Sequence, residues 1–166
     1  SNKEYRICNR CVLDTTDPEI VFDEKGNCNH CNGYFENIKH LSYQGDKSDK
    51  ELAALVAEIK EAGKNSEYDC LIGVSGGIDS SYVAYLVNKL GFRPLAFHLD
   101  NGWNSDQAVK NIKGICSKLK IDYQSFVLDW EEFRDIQLSV LKSGITEVEL
   151  PTDIAILGAA HKVAAE

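Results

Sequence analysis

The sequence predicts a doubly wound parallel α/β sheet preceded by a small cysteine-bearing module. Three observations lead there. Cys8, Cys11, Cys28 and Cys31 form two Cys-x2-Cys pairs near the start. From Cys70 onward, short apolar runs alternate with stretches of helical periodicity, the pattern of strands joined by crossover helices. A Gly-Gly turn follows the first of these apolar runs.

Composition sets the bounds. With 166 residues, the chain suits one domain with a small attached module, and about two-thirds of the unfolded surface can be buried. Apolar residues make up 43% and prolines number only 3, which excludes disorder as the main state. No apolar run reaches the roughly 18 residues that span a bilayer, and residues 1–11 show no signal-peptide pattern. A cytoplasmic location without membrane attachment is expected. The net charge of −8 is shared evenly by the parts before and after Tyr68. No basic stripe offers the Lys and Arg that phosphate backbones require, so nucleic acid is not the expected partner.

The first element is the cysteine module, expected over residues 1–45. Its spacing, Cys8-x2-Cys11-x16-Cys28-x2-Cys31, is that of a tetrahedral zinc site, since each knuckle offers two thiolates and Zn2+ takes four sulfurs. Two disulfides or an iron–sulfur cluster are the alternatives. Four thiolates close the coordination sphere, so the metal is expected to be structural. His30 and His40 are expected at the surface or beside the ligands. Between the knuckles, Glu19-Ile20-Val21-Phe22 reads as a short strand and Asp23-Glu24-Lys25-Gly26-Asn27 as a hairpin turn.

The second domain is expected over residues 46–166. Residues 41–49 read as a polar linker. Ser48-Asp49-Lys50-Glu51 fits a capping box, and Leu52, Leu55, Val56, Ile59 and Ala62 recur at helical spacing up to Gly63. Cys70-Leu71-Ile72-Gly73-Val74 is a buried strand. A helix follows with Val83, Leu86, Val87 and Leu90 on one face and Gly91 at its end. Pro94-Leu95-Ala96-Phe97-His98-Leu99 is the next strand. Ser105 caps a helix bearing Val109, Ile112, Ile115, Cys116 and Leu119. Residues 123–128 form a third strand. Asp129 caps a helix with Phe133, Ile136, Val140 and Leu141 inward, and Thr152 caps a last one over residues 153–165. Cys70 and Cys116 fit small buried hydrophobes.

The chemistry gathers in Val74-Ser75-Gly76-Gly77-Ile78-Asp79-Ser80-Ser81. This stretch joins a strand to a helix at the carboxyl end of the sheet, where open α/β sheets bind ligands. Gly76 and Gly77 permit close backbone approach and positive φ. The loop amides and the helix dipole favour an anion, and Ser75, Ser80 and Ser81 add hydroxyls. Asp79 repels a polyphosphate unless Mg2+ bridges the two; its other reading is a partner for the helix dipole. The loop lacks the lysine of the Gly-x4-Gly-Lys-Ser/Thr motif.

Ser-Gly-Gly-x-Asp-Ser between a strand and a helix resembles the pyrophosphate loop of the PP-loop ATP pyrophosphatases, whose fold is PP-loop/HUP-like. Cys8-Asn9-Arg10-Cys11-Val12, Asp17-Pro18-Glu19-Ile20, Phe22-Asp23, Gly26-Asn27-Cys28-Asn29-His30-Cys31, Tyr68-Asp69-Cys70, residues 74–82, His98-Leu99-Asp100-Asn101-Gly102-Trp103-Asn104, Ala108-Val109-Lys110-Asn111-Ile112, Asp129-Trp130-Glu131-Glu132-Phe133 and Pro151-Thr152-Asp153 narrow the likeness. Together they resemble the N-acetyl sugar amidotransferase family, with the cysteines as a four-cysteine zinc ribbon. The resemblance implies adenylation of an acetamido oxygen by ATP with Mg2+, then displacement of AMP by ammonia from a separate glutaminase subunit. The setting it implies is the synthesis of bacterial surface polysaccharide or flagellin glycan. It implies nucleotide contacts from Ser75, Gly76, Gly77, Ile78, Asp79, Ser80, Ser81, Phe97, His98 and Asn101. Phe97 and His98 would flank adenine through their backbone. Asp79 and Asp100 are the candidate catalytic residues. Family members are about twice as long, so the chain is expected to be an N-terminal part, with a further strand and phosphate-side loop after Glu166.

Other readings stay open at single positions. Asp-Asn-Gly at residues 100–102 is also an ordinary turn. Trp103 is a sugar-stacking face or a loop anchor. Asp153 is a site residue or a dipole partner. Lys110 and Asn111 fall on the solvent side of their helix, outside the site. The rival activity is that of a tRNA-thiolating PP-loop enzyme; against it stand the acidic charge and the absence of exposed core cysteines.

Overall fold

The computed structural model describes residues 4–165; the strand and loop expected beyond the last helix lie outside them. Two compact units emerge, Ser1–Leu55 and Val56–Glu166. Among the described residues no helix is long and apolar enough to cross a membrane.

The first unit is built around its cysteines. Cys8, Ile20 and Cys28 are buried, with Cys11, Phe22 and Cys31 packed against them. Antiparallel bridges Ile7↔Asp14 and Phe22↔Cys28 fold the chain before the first helix. The run expected as a strand over residues 19–22 therefore contributes a single bridge. The turn after it forms as expected: Asp23 Oδ1 accepts the Lys25 and Asn27 N–H groups, and Gly26 takes φ 79°. Helix α1 (Asn29–Leu41) is additional to the expected elements. Cys28 caps it, its sulfur accepting the Cys31 N–H. It buries no residue, although Tyr34, Ile38 and Leu41 recur along it at helical spacing.

Helix α2 (Asp46–Ala62) begins two residues before the expected capping box. Gly45, at φ 58°, turns the chain, and its carbonyl takes the Ser48 and Asp49 amides. Ser48 thus lies inside the first turn and does not cap it. The division between the two units falls inside α2, beyond the expected point at residue 45. Gly63 ends the helix as expected, and a Cβ there would stand 2.5 Å from the Asp69 Cα.

The second unit holds three parallel strands, β1 (Cys70–Gly73), β2 (Pro94–Asp100) and β3 (Asp122–Val127), in the order β1-β2-β3. Helices α3 (Ile78–Lys89), α4 (Asp106–Leu119), α5 (Trp130–Ser143) and α6 (Leu150–Ala165) complete it. β2 is central and alternates between two cores. Ala96 joins Ile72, Val74, Ala84, Ile112, Cys116 and Ile121 on the α3–α4 side. Phe97 and Leu99 meet Ala159 and Val163 of α6 on the other. Helices on both faces of a parallel sheet are the doubly wound arrangement that the strand–helix alternation predicts.

Ser105 and Asp129 cap α4 and α5 as expected, accepting the Ala108 and Glu132 amides. Three details differ. α3 turns Ala84 inward, leaving Val83 45% exposed. α5 buries Phe133 and Gln137 while Ile136 and Leu141 stay exposed, because Gln137 Nε2 reaches the Val148 carbonyl and closes the link to α6. α6 starts at Leu150 with Pro151 buried in its first turn, where a missing N–H costs nothing; Thr152 is therefore inside the helix and not its cap.

Ile112 is 1% exposed between α4 and the sheet, whereas Val127 is 69% exposed. Ile112→Ala is expected to lower stability by about 2–4 kcal/mol, and Val127→Ala by less than about 0.5 kcal/mol. Chemical denaturation monitored by circular dichroism measures both.

Candidate nucleotide and metal sites

Parallel pairing brings the carboxyl ends of all three strands to one edge, and the phosphate-loop candidate lies there. The Val74 N–H donates to the Phe97 carbonyl at 2.8 Å, extending the β1–β2 ladder by one residue. The chain then turns at Gly76, φ 79°. A Cβ on Gly76 would stand 2.4 Å from the Ala108 carbonyl oxygen, so α4 presses directly on the loop. Gly77 differs from the expectation of two positive-φ glycines. It takes φ −77° as the N-terminal cap of α3, and a Cβ there would meet only Ser75 Oγ, at 3.4 Å.

The serines brace the loop. Ser80 Oγ accepts the Ser75 N–H at 3.1 Å and lies 3.1 Å from Ser75 Oγ. Ser80 and Ser81 hydroxyls both donate to the Gly77 carbonyl. Among the described residues, the N–H groups of Gly76, Ile78, Asp79 and Ser80 have no protein partner. Aligned free amides at a helix start attract an anion. Asp79 is exposed in the first turn of α3 and pairs with no described side chain, so its carboxylate is free to take a cation.

The expected residues of β2 reach this edge in different ways. Phe97 gives its carbonyl to Val74 and its ring to the α6 side. His98 is 7% exposed, and its Nδ1 lies 2.9 Å from the Val74 carbonyl. A carbonyl only accepts, so Nδ1 carries the hydrogen; Nε2 is buried without a partner. Asp100 Oδ1 accepts the Gly102 N–H and Asn104 Nδ2, and Asn101 Oδ1 accepts the Trp103 N–H. These contacts fold residues 100–104 into a turn on its own side chains. Gly102, φ 83°, packs against the Trp130 ring. Trp103 meets Trp130 and Phe133 edge to face and remains 54% exposed, so it anchors the turn and still offers a free surface. Phe133 also lines an apolar pocket of about 290 Å³ with Leu128, Ile136, Pro151 and Ile154. Asp153 is exposed in the first turn of α6, next to the positive end of the helix dipole.

Asn111, placed outside the site by its helical position, touches the loop. Its Nδ2 donates to the Gly76 carbonyl at 3.0 Å, and Gln107 Nε2 donates to its Oδ1 at 2.7 Å. The sequence carries two traces of this: the run Ala108-Val109-Lys110-Asn111-Ile112, which belongs to the family resemblance, and the polar i,i+4 pair Gln107–Asn111. A cavity of about 600 Å³ opens at the opposite end of the strands, beside Ser66, Asp69, Cys70 and Val163; ligands of open α/β sheets sit at the carboxyl ends.

The four N-terminal sulfurs make a separate site. All lie within 4.8 Å of one another, with Cys8–Cys31 at 4.0 Å and Cys11–Cys28 at 3.7 Å. Four ligands at about 2.3 Å from one tetrahedral ion stand about 3.8 Å apart, so the cage fits a single metal ion. A multi-metal cluster needs its thiolates further apart. The cysteines are free, without disulfides. Backbone N–H groups of Arg10 and Cys28 point at the Cys8 sulfur and that of Cys31 at the Cys28 sulfur. For Cys8, burial opposes ionisation, but amide donors from Arg10, Cys11 and Cys28 outweigh it and bring the thiol down to about 6. The neighbouring Cys11 thiol and burial push Cys31 up to about 12. Without a cation the four thiols cannot ionise together. His30 instead meets Asp17, Nε2 to Oδ2 at 2.8 Å.

A parallel sheet whose first strand runs through Ser-Gly-Gly-x-Asp-Ser into a helix defines an ATP pyrophosphatase domain of the PP-loop class. Within that class, the chain belongs to the NAD synthase family, whose profile matches residues 50–142. It is 38% identical over 64 residues to a 7-cyano-7-deazaguanine synthase of Campylobacter jejuni, a match covering 38% of this chain and 28% of that protein. It is 27% identical over 107 residues to a tRNA-specific 2-thiouridylase of Shewanella amazonensis, covering 57% of this chain and 28% of the relative. Each match thus spans under a third of the relative. The structure of an NMN synthetase from Francisella tularensis aligns with a TM-score of 0.50 at 21% identity, over 68% of this chain and 48% of that one; this likeness is one of fold.

Gly76→Ala is expected to disrupt the loop, since it combines positive φ with a backbone clash, and to lower the melting temperature. Gly77→Ala should leave that temperature within about 2 °C of wild type. Cys28→Ser is expected to abolish metal content and unfold the N-terminal unit while the sheet persists. Protons compete with the metal for thiolates, so metal content should hold near pH 8 and fall as pH drops toward about 5; elemental analysis after dialysis at each pH reads this directly.

Proposed function

We propose that the chain is the nucleotide-binding part of an AMP-forming amidotransferase that acts on an N-acetylated sugar, in the synthesis of bacterial surface polysaccharide or flagellin glycan. The observation that carries the nucleotide reading is the loop at the end of β1, with four unpartnered amides and no lysine. A lysine would serve charge leaving on a γ-phosphate; its absence suits attack at the α-phosphate, with pyrophosphate held by the loop. The loop amides take the β- and γ-phosphates, and Ser75, Ser80 and Ser81 brace the loop that carries them. Asp79 would hold Mg2+, which would offset the charge of the phosphates. Asp100, at the end of β2, stands at the same edge and is the second candidate catalytic carboxylate. The Trp103 surface and the pocket beside Phe133 suit the acceptor.

An acetamide carbonyl is a poor electrophile with a poor leaving group, and adenylation of its oxygen removes both defects. That oxygen attacks the α-phosphorus and pyrophosphate leaves. Ammonia then adds at carbon and loses a proton, and AMP departs with the original oxygen, leaving an acetamidino group. The motif resemblance implies that a separate glutaminase subunit supplies the ammonia. The metal of the four-cysteine cage is Zn2+ in a structural role. The sugar as acceptor rests on the motif resemblance; the family itself includes varied acceptors, as the names of the two curated relatives indicate.

The thiouridylase relative favours sulfur transfer to tRNA as the second reading. Against it, Cys116 is 4% exposed, and burial with the adjacent Asp69 pushes the half-buried Cys70 thiol up to about 11, far from the thiolate that transfer needs.

The full-length protein, given ATP, Mg2+, ammonia and an N-acetylated nucleotide sugar, is expected to release AMP and pyrophosphate and lighten the sugar by about one mass unit, because NH replaces O by this route. With carbonyl-18O substrate, mass spectrometry should find the label in AMP. ADP, or unlabelled AMP, would reject the route, and thiolated tRNA would install the second reading.

A further inference from the structure

The amides that face an anion are aimed only as well as the peptide planes that carry them. A trans peptide is planar, with C=O and N–H pointing in opposite directions, so fixing one carbonyl fixes the N–H that follows. Two carbonyls of the loop are fixed by side chains from other elements. Asn111 of α4 donates to the Gly76 carbonyl at 3.0 Å, which sets the Gly77 N–H. His98 of β2 donates to the Val74 carbonyl at 2.9 Å, which sets the Ser75 N–H toward Ser80 Oγ.

The Gly76–Gly77 unit is the one that needs such help. Glycine on both sides lets the peptide rotate at little steric cost. Within the loop, the Gly77 N–H has only a long contact to Ser75 Oγ, 3.4 Å. A rotated peptide would aim the Gly76 carbonyl oxygen at the phosphate and repel it. Asn111 is itself held. Gln107 Nε2 donates to its Oδ1 at 2.7 Å, which leaves the amide NH2 for Gly76 and opposes a flip. Asn111 is exposed and adds nothing to the core, so its hydrogen bonds are its whole structural contribution.

We propose that Asn111, oriented by Gln107, is a positioning residue for phosphate binding: it locks the Gly76–Gly77 peptide with the Gly76 carbonyl held toward α4, away from the phosphate that the free amides of the loop receive. The inference rests on the reading of residues 74–81 as a phosphate loop. It makes α4 a determinant of affinity for polyphosphate.

Calorimetric titration of the full-length protein with magnesium pyrophosphate tests this, alongside the thermal midpoint. Asn111→Leu is expected to weaken binding about tenfold, the scale of one lost hydrogen bond, with no more than about 2 °C of change in midpoint. Gln107→Ala should weaken binding less, and the double variant should bind no more weakly than Asn111→Leu alone, because Gln107 acts through Asn111. Unchanged affinity in Asn111→Leu, a loss matched by a large fall in midpoint, or additive effects in the double variant would each overturn the inference. If the wild type itself failed to bind pyrophosphate, the phosphate-loop reading would fall, and this inference with it; wild-type binding with an unaffected variant removes the inference alone.

Discussion

The burial of β2 on both faces and both edges is the constraint on which the second unit depends. Its two neighbours run parallel to it, and a strand so placed presents apolar side chains to both faces. Ala96 fills one core, Phe97 and Leu99 the other. The same pairing sends the ends of β1 and β2 to one edge of the sheet. Val74 is held to Phe97 through the ladder, and the loop after it has one direction in which to leave.

That loop is thus a product of its surroundings. Gly76 cannot carry a side chain because α4 occupies the space, and its carbonyl is received by Asn111. Among the described residues, the amides of Gly76, Ile78, Asp79 and Ser80 stay unpaired while the serines beside them are bonded within the loop. Order set before binding suits a polyphosphate ligand, because fixed dipoles need no reorganisation when the charge arrives.

The N-terminal unit obeys a different rule. Its buried residues are largely the cysteines themselves, with Ile20 and Phe22, so apolar burial is small and a bound metal would provide much of its folding energy. The crowding of four thiols is unfavourable by itself, and a cation turns that same crowding into a coordination shell.

The sequence by itself determined what is local. Short apolar runs between helical stretches specified β1 and β2, because strands buried on both faces are mostly apolar; β3, with Gln124 and Ser125, is more polar and more exposed. Ser105 and Asp129 announced two helix starts, because a cap is a contact between residues three apart. The Cys-x2-Cys spacing put four sulfurs within reach of one ion. Tertiary structure decided the rest. α1 is not among the predicted elements although Tyr34, Ile38 and Leu41 recur along it at helical spacing, and the early start of α2 comes from the turn at Gly45, whose carbonyl takes the Ser48 and Asp49 amides. The inward turn of Ala84 over Val83 was chosen by the neighbouring strand, not by the helix. Which glycine of the pair needs positive φ, and which polar residue of α4 reaches the loop, depend on where Ala108 and Asn111 sit thirty-odd positions along the chain; contacts at such separation leave no local pattern, since they are set by the packing of α4 against the loop.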